Sequence, residues 1–258
     1  MRFVRFTTSD YPALHYGCIV DEKIKIIKGN PFKDYDIGSA TLELDEVQLL
    51  SPCSPGKIIG LAANYHGATG VTRNMKEPIV FLKPGSSATG PYDDIICPFR
   101  DIRVWGEIEL GIVIGKRTKN VSKISAKKAI FGYLCANDIT AENIDNRDHH
   151  LARSKGIDAF CPIGPWIDTE FNAQEAVIES YQNGKLIRQG NLKDMIWKSE
   201  KIVYWLSQWM TLQQGDLIIT GTPPRVVEKT YLANGDIYEG KIKGLGTLKN
   251  KFICHSQL

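Results

Sequence analysis

Residues 104–114 constrain the fold most. Within them Ile108, Leu110, Ile112 and Ile114 alternate with Glu107, Glu109, Gly111 and Val113. A period of two belongs to a β-strand, whose successive side chains point to opposite faces. One face is aliphatic and suits a core; the other opens with two glutamates aimed the same way. Strand patterns recur at residues 57–62, 78–83, 131–137, 217–220 and 237–242. Residues 177–182 and 185–189 flank Asn183-Gly184, a dipeptide that favours a tight hairpin turn. Helical spacing is confined to residues 122–130, capped by Ser122, and 199–212, where Ile202, Val203, Leu206, Trp209 and Met210 share one side. Strands dominate and do not alternate with helices. That excludes a doubly wound parallel sheet and predicts a mainly β fold with a few helices.

Short strands are also predicted at residues 3–6, 16–20 and 23–27, ahead of the breaker cluster Ser51-Pro52-Cys53-Ser54-Pro55-Gly56. The expected division is a small N-terminal β subdomain over residues 1–54 and a catalytic domain over 55–258. The net charge of +3 is spread along the chain without a basic block, which argues against nucleic acid and against a polybasic membrane anchor. There is no apolar run of bilayer length and no signal-peptide pattern at the start. Six cysteines, none in a C-x-x-C pair, read as reduced thiols in a cytoplasmic protein.

An E-x-E pair on a strand has two readings. Taken alone it fits a solvated sheet face better than a site where a divalent cation screens two carboxylates that would otherwise repel. Asp138 adds weight to the second reading, because it ends the apolar run 131–137 at the mouth of a loop.

At these residues the chain resembles the fumarylacetoacetate hydrolase family. The matching motifs run in order from about residue 55 to 252. They begin with Lys57-Ile58-Ile59-Gly60 leading to Asn64-Tyr65, then Glu107-Ile108-Glu109-Leu110 with Val113-Ile114-Gly115-Lys116, and Gly132-Tyr133 to Asn137-Asp138. Lys155 to Trp166 follows, then Thr220-Gly221-Thr222-Pro223 and Gly246-Thr247-Leu248 with Asn250. The resemblance implies a mixed β-sandwich roll, a homodimer, and Mg²⁺ or Mn²⁺ held by Glu107, Glu109 and Asp138. It implies that Lys155 meets developing negative charge on the substrate, that Thr222 binds a substrate carboxylate, and that Tyr65 lies in the substrate loop. The implied substrate is a 2-oxo or 2-hydroxy-enol acid, chelated so that the metal stabilises an enolate. Keto–enol isomerisation and C–C hydrolysis are the activities expected first, with oxaloacetate-type decarboxylation as an alternative.

The chain also departs from the family. Many members carry N-Y-x-x-H-x-x-E, whose His and Glu activate a water; here Ala68 and Val71 stand at those positions and His66 lies two residues early. His66 is therefore a candidate base from a displaced position, with Glu77 a nearby loop acid. Glu142 and Asp145 replace an Arg and a Gln, leaving Arg147 or Arg153 to compensate, and Arg225 takes the place of a glycine after Thr222-Pro223. Arg225 is a candidate anion contact or a solvated loop residue. These departures favour enolisation over hydrolysis, and they leave open a non-catalytic homologue that binds metal and ligand. No G-x-G-x-x-G or P-loop motif occurs, which excludes the nucleotide-binding enzymes those motifs mark.

Overall fold

The computed structural model describes residues 1–9, 12–68 and 75–254. Val71 and Arg73 lie outside the described residues. Three strands form the centre of the fold. Ile108–Ile114 runs antiparallel to Ile130–Asn137 on one side and to Leu217–Ile219 on the other. From the first neighbour the sheet continues through Cys161–Asp168, Arg2–Thr7, His15–Val20, Lys23–Gly29 and Tyr35–Leu42. From the second it continues through Lys57–Ala62 to the edge strand Ile79–Pro84. With the short strands Gln48–Leu50 and Ala88–Thr89 it has twelve strands. The strands at the N-terminus thus extend the same sheet, through Phe3 opposite Ile167. A second sheet of five strands, in the order Lys185–Asn191, Val177–Gln182, Ile237–Ile242, Gly246–Cys254 and Asp94–Cys97, packs against the first.

Every residue of Ile108–Ile114 is buried, on both faces. Ile112 and Ile114 pack on Ile202, Val203 and Leu206 of the Ser199–Trp209 helix. Ile108 and Leu110 pack on Ile178, Ile242 and Leu248 of the second sheet. On the opposite face Val113 meets Leu134, Ile163 and Leu217. A solvated glutamate face is therefore ruled out, and Glu109 points into the interior.

Residues 104–114 do not form one continuous strand. Val104–Trp105 pairs with Thr140–Ala141 in a separate ladder, and the main strand starts at Ile108. The Tyr238 ring occupies the space beside Gly106, where a Cβ would lie 2.5 Å from it, and the Tyr238 hydroxyl accepts from Ile108 N at 3.0 Å. That side chain takes a backbone donor at the break. The first helix is shorter than its pattern suggests, Lys123–Lys127, with Ser122 Oγ accepting from Ser125 N. It stops because Ile130 already pairs with Ile114. The Asn183-Gly184 turn has φ of 51° and 76°, as its tight hairpin requires. Among the described residues no helix is long and apolar enough to cross a membrane. The six cysteines are free.

Candidate metal centre

The pairing of Ile108–Ile114 with Ile130–Asn137 brings the three acids together. Ile108 lies opposite Asn137, Glu107 N donates to Asn137 Oδ1 at 2.9 Å, and Asp138 N donates to Glu107 O at 2.9 Å. Glu107, Glu109 and Asp138 then each offer a carboxylate oxygen, all within 4.8 Å of one another. Glu109 and Asp138 are almost wholly buried, at 2% and 1% exposure.

Among the described residues, three cations surround the acids. Lys155 Nζ donates to Asp138 Oδ2, to Thr140 Oγ1 at 2.6 Å and to Glu107 Oε2 at 3.5 Å. Lys83 Nζ donates to Asp138 Oδ1 at 2.7 Å and to Ile139 O at 3.1 Å. Arg188 Nη2 donates to Glu107 Oε1 at 2.9 Å and Nη1 to Pro223 O at 2.6 Å. Among the described residues no cation is bonded to Glu109; its Oε2 accepts from Gly221 N at 2.5 Å. Gly221 offers that N–H from a backbone at φ +88°, which glycine adopts without strain.

The electrostatics follow from these contacts. Burial pushes Glu109 well above the usual carboxylate range, and the charges of Asp138 and Glu107 add to the shift. Burial acts the same way on Asp138, but Lys155 and Lys83 outweigh it and hold this acid below its ordinary value. Burial would lower the Lys155 ammonium; Asp138 and Glu107 reverse that and raise it. A buried carboxylate that resists ionisation beside two others suits a hard divalent cation, which would supply the charge it lacks. Three oxygen donors match Mg²⁺-type coordination and leave positions open for a small chelating ligand. Glu107, Glu109 and Asp138 fit such an ion.

The other predicted residues lie around this centre. Tyr65 is buried at the end of the Asn64-Tyr65 segment, and its hydroxyl has no partner among the described residues. Burial raises its phenol well above the ordinary value, with Glu109 the next contributor. Asn64 fixes this segment by donating to Trp197 O at 3.1 Å and Thr220 O at 2.7 Å and accepting from Trp197 N at 2.7 Å. His66 follows in a turn closed by Ala68 N to Tyr65 O at 3.1 Å, with Gly67 at φ +81°. A Cβ on Gly67 would lie 3.5 Å from Pro224, so the turn abuts the Thr222-Pro223-Pro224 loop. His66 itself is exposed and is not brought into contact with the acids. Thr222 Oγ1 and both Nη atoms of Arg225 are shielded and have no partner among the described residues. Arg225 is half-buried rather than a solvated loop residue.

The acidic replacements are neutralised locally. Glu142 pairs with Arg103, and Asp145 with Arg147 at 3.3 Å on the surface. Arg153 stacks 4.4 Å above the Phe99 ring, and Glu77 is exposed. Neither Arg147 nor Arg153 reaches the carboxylates. The sequence places Lys83 at the end of the 78–83 strand without a role, and it gives none to Arg188 or Thr140. Period two does place Lys83 on the face of Phe81 within Ile79–Pro84. Arg188 gives no comparable signal, since its charge alone reads as exposed.

Residues 57–253 match the fumarylacetoacetate (FAA) hydrolase C-terminal family, and residues 1–52 match the Rv2993c-like N-terminal family. The chain belongs to the fumarylacetoacetate hydrolase family, and it is an enzyme of that isomerase and hydrolase class. Among its relatives, a human mitochondrial oxaloacetate tautomerase, FAHD2A, is 34% identical over 229 residues, covering 82% of this chain and 71% of the relative. The crystal structure of 5-carboxymethyl-2-hydroxymuconate delta-isomerase from Mycobacterium smegmatis superposes with a TM-score of 0.89 at 32% identity, covering 99% of this chain and all of the other. Fumarylacetoacetate hydrolase from Exiguobacterium antarcticum superposes with a TM-score of 0.88 at 28% identity, with the same coverage.

Proposed function

We propose that this enzyme binds Mg²⁺ or Mn²⁺ through Glu107, Glu109 and Asp138 and moves a proton on a 2-oxo or 2-hydroxy-enol acid, interconverting keto and enol forms. The observation that carries this reading is the convergence of three carboxylates, one of them buried without a bonded cation among the described residues, beside the buried Lys155. The bound ion supplies Lewis-acid polarisation of the substrate's oxygens. Lys155, held cationic by Asp138 and Glu107, stabilises negative charge as it develops on the substrate. Thr222 and Arg225 present unpartnered donors to the substrate's anionic groups, and the Tyr65 hydroxyl is free to donate or accept beside Glu109. His66, from its turn, is the candidate proton acceptor.

Isomerisation is favoured over C–C hydrolysis and decarboxylation because Ala68 cannot activate a water. A tautomerase and an isomerase among the relatives support the same order. The family's homodimer is adopted here as well; the apolar edge strand Ile79–Pro84, with Ile79 and Leu82 each 52% exposed, supports it. The six free cysteines suit a cytoplasmic site. A panel of 2-oxo acids with Mg²⁺ tests the reading: product formation supports an enzyme of this class, whereas thermal stabilisation by ligand without turnover on any acid favours a binding homologue.

A further inference from the structure

The loop that follows Leu217–Ile219 carries donors without an acceptor. Thr222 Oγ1 and both terminal nitrogens of Arg225 are shielded from water and unpartnered. A buried donor left unpaired is costly, and a charged one more so. The backbone fixes where Arg225 points. It lies opposite Arg188 in an isolated antiparallel bridge, supported by Val226 N donating to Ile187 O at 3.0 Å. Residues directly opposed in this way project their side chains to the same face, with Cβ atoms about 4.5–5.5 Å apart. Two arginines so placed repel each other.

The two arginines differ in what answers their charge. Arg188 has Glu107 and the Pro223 carbonyl. Among the described residues Arg225 is bonded to neither an anion nor a carbonyl, and Glu107, already bonded to Arg188, acts on it only through space. Lys229 adds a further cation: its ammonium sits 3.4 Å from the centre of the Trp105 ring, and it feels Arg225 and Arg103 on one side of the balance and Glu107 and Glu142 on the other. Positive charge therefore accumulates beside Glu107, one of the three converging carboxylates. Every unpartnered atom on this loop is a donor, and two of them belong to one planar guanidinium. That geometry matches the two oxygens of a carboxylate.

We propose that Arg225 binds the distal carboxylate of a dicarboxylic substrate and selects 2-oxo dicarboxylates over 2-oxo monocarboxylates. This rests on the proposed function, which puts the 2-oxo acid end of the substrate at Glu107, Glu109 and Asp138. Arg225 stands where the family motif has glycine, so the selectivity is built into this chain's own loop.

The test compares oxaloacetate with pyruvate, which lacks the second carboxylate, by calorimetric binding and by C3 proton exchange with Mg²⁺. Wild type should prefer oxaloacetate by at least about 10-fold, in line with one charge-assisted bidentate contact. Arg225→Gln should collapse that ratio toward one through KM rather than kcat. Arg225→Lys, which keeps the charge but not the fork, should fall between. An unchanged ratio in Arg225→Gln with an unchanged melting temperature would overturn the anchor. Oxalate binding in wild type and Glu109→Ala is the separate control. If oxalate binds and needs Glu109 while the ratio stays fixed, the anchor alone is wrong. If oxalate binding ignores Glu109, the proposed function fails, and the oxaloacetate-to-pyruvate ratio still decides for or against Arg225.

Discussion

Lys83 and Asp138 form an ion pair at 2.7 Å in which both side chains are shut off from water, at 0% and 1% exposure. Lys83 also donates to Ile139 O, so one oxygen of Asp138 is tied to the edge strand and the other faces Lys155. Removing one partner of a buried pair leaves an uncompensated charge. Lys83→Met is expected to cost about 3–5 kcal/mol, read as a lower urea midpoint, and Lys83→Met with Asp138→Asn should recover part of it. A loss under 1 kcal/mol would show that Lys155 alone neutralises Asp138.

Glu109 makes stability depend on pH and on metal together. Its folded pKa is raised by burial, then by Asp138 and Glu107. A carboxyl raised in this way contributes stability below its unfolded pKa, about 4.3, and that stability is lost as pH rises toward the folded value. A divalent cation favours the ionised form. Stabilisation by Mg²⁺ should therefore grow as pH rises above the ordinary carboxylate range, and Glu109→Gln should flatten the rise. Melting curves between pH 5 and 8, with and without Mg²⁺, check this; a shift that is the same at every pH would count against it.

Gly221 holds Glu109 through its N–H at φ +88°, and a Cβ there would lie 3.0 Å from that of Asn64. Gly221→Ala should destabilise the fold by about 1–2 kcal/mol through the strained φ and weaken metal binding as well. Titration with Mn²⁺ should show that loss; an unchanged affinity would remove Gly221 from the site's support.

Tyr65 separates function from packing. Its ring is buried but its hydroxyl has no partner, so deleting the hydroxyl removes no bond. Tyr65→Phe is expected to keep stability within about 0.5 kcal/mol while lowering kcat. A stable variant with full activity would take Tyr65 out of the chemistry.

The sequence was most legible where chemistry and strand period coincide. Glu107 and Glu109 at period two, followed by Asp138 at a strand end, are local patterns, and the structure brings their oxygens together. The Ser199–Trp209 helix and the Asn183-Gly184 hairpin were legible for the same reason. Cys161–Asp168 was not read as a strand, because Pro162, Gly164 and Pro165 mask its period. Neither were Asp94–Cys97, whose apolar Ile95-Ile96-Cys97 run hides its alternate burial, and Tyr35–Leu42, which alternates weakly. Trp209 was expected on the helix's buried face, yet it ends the helix half-exposed against Trp205. Lys83 and Arg188 escaped because a charge is read as solvated until its partner is known. Those partners lie 55 and 81 residues away along the chain.

The central claim is that the three carboxylates hold a metal at which a 2-oxo acid loses a proton. Solvent deuterium exchange at C3 of oxaloacetate tests it most directly, with Mg²⁺ or Mn²⁺, for wild type and Glu109→Ala. Enzyme-catalysed exchange that needs both the metal and Glu109 is the expected result. Catalysed exchange that persists in Glu109→Ala or without metal, or none in wild type with metal bound, would contradict it.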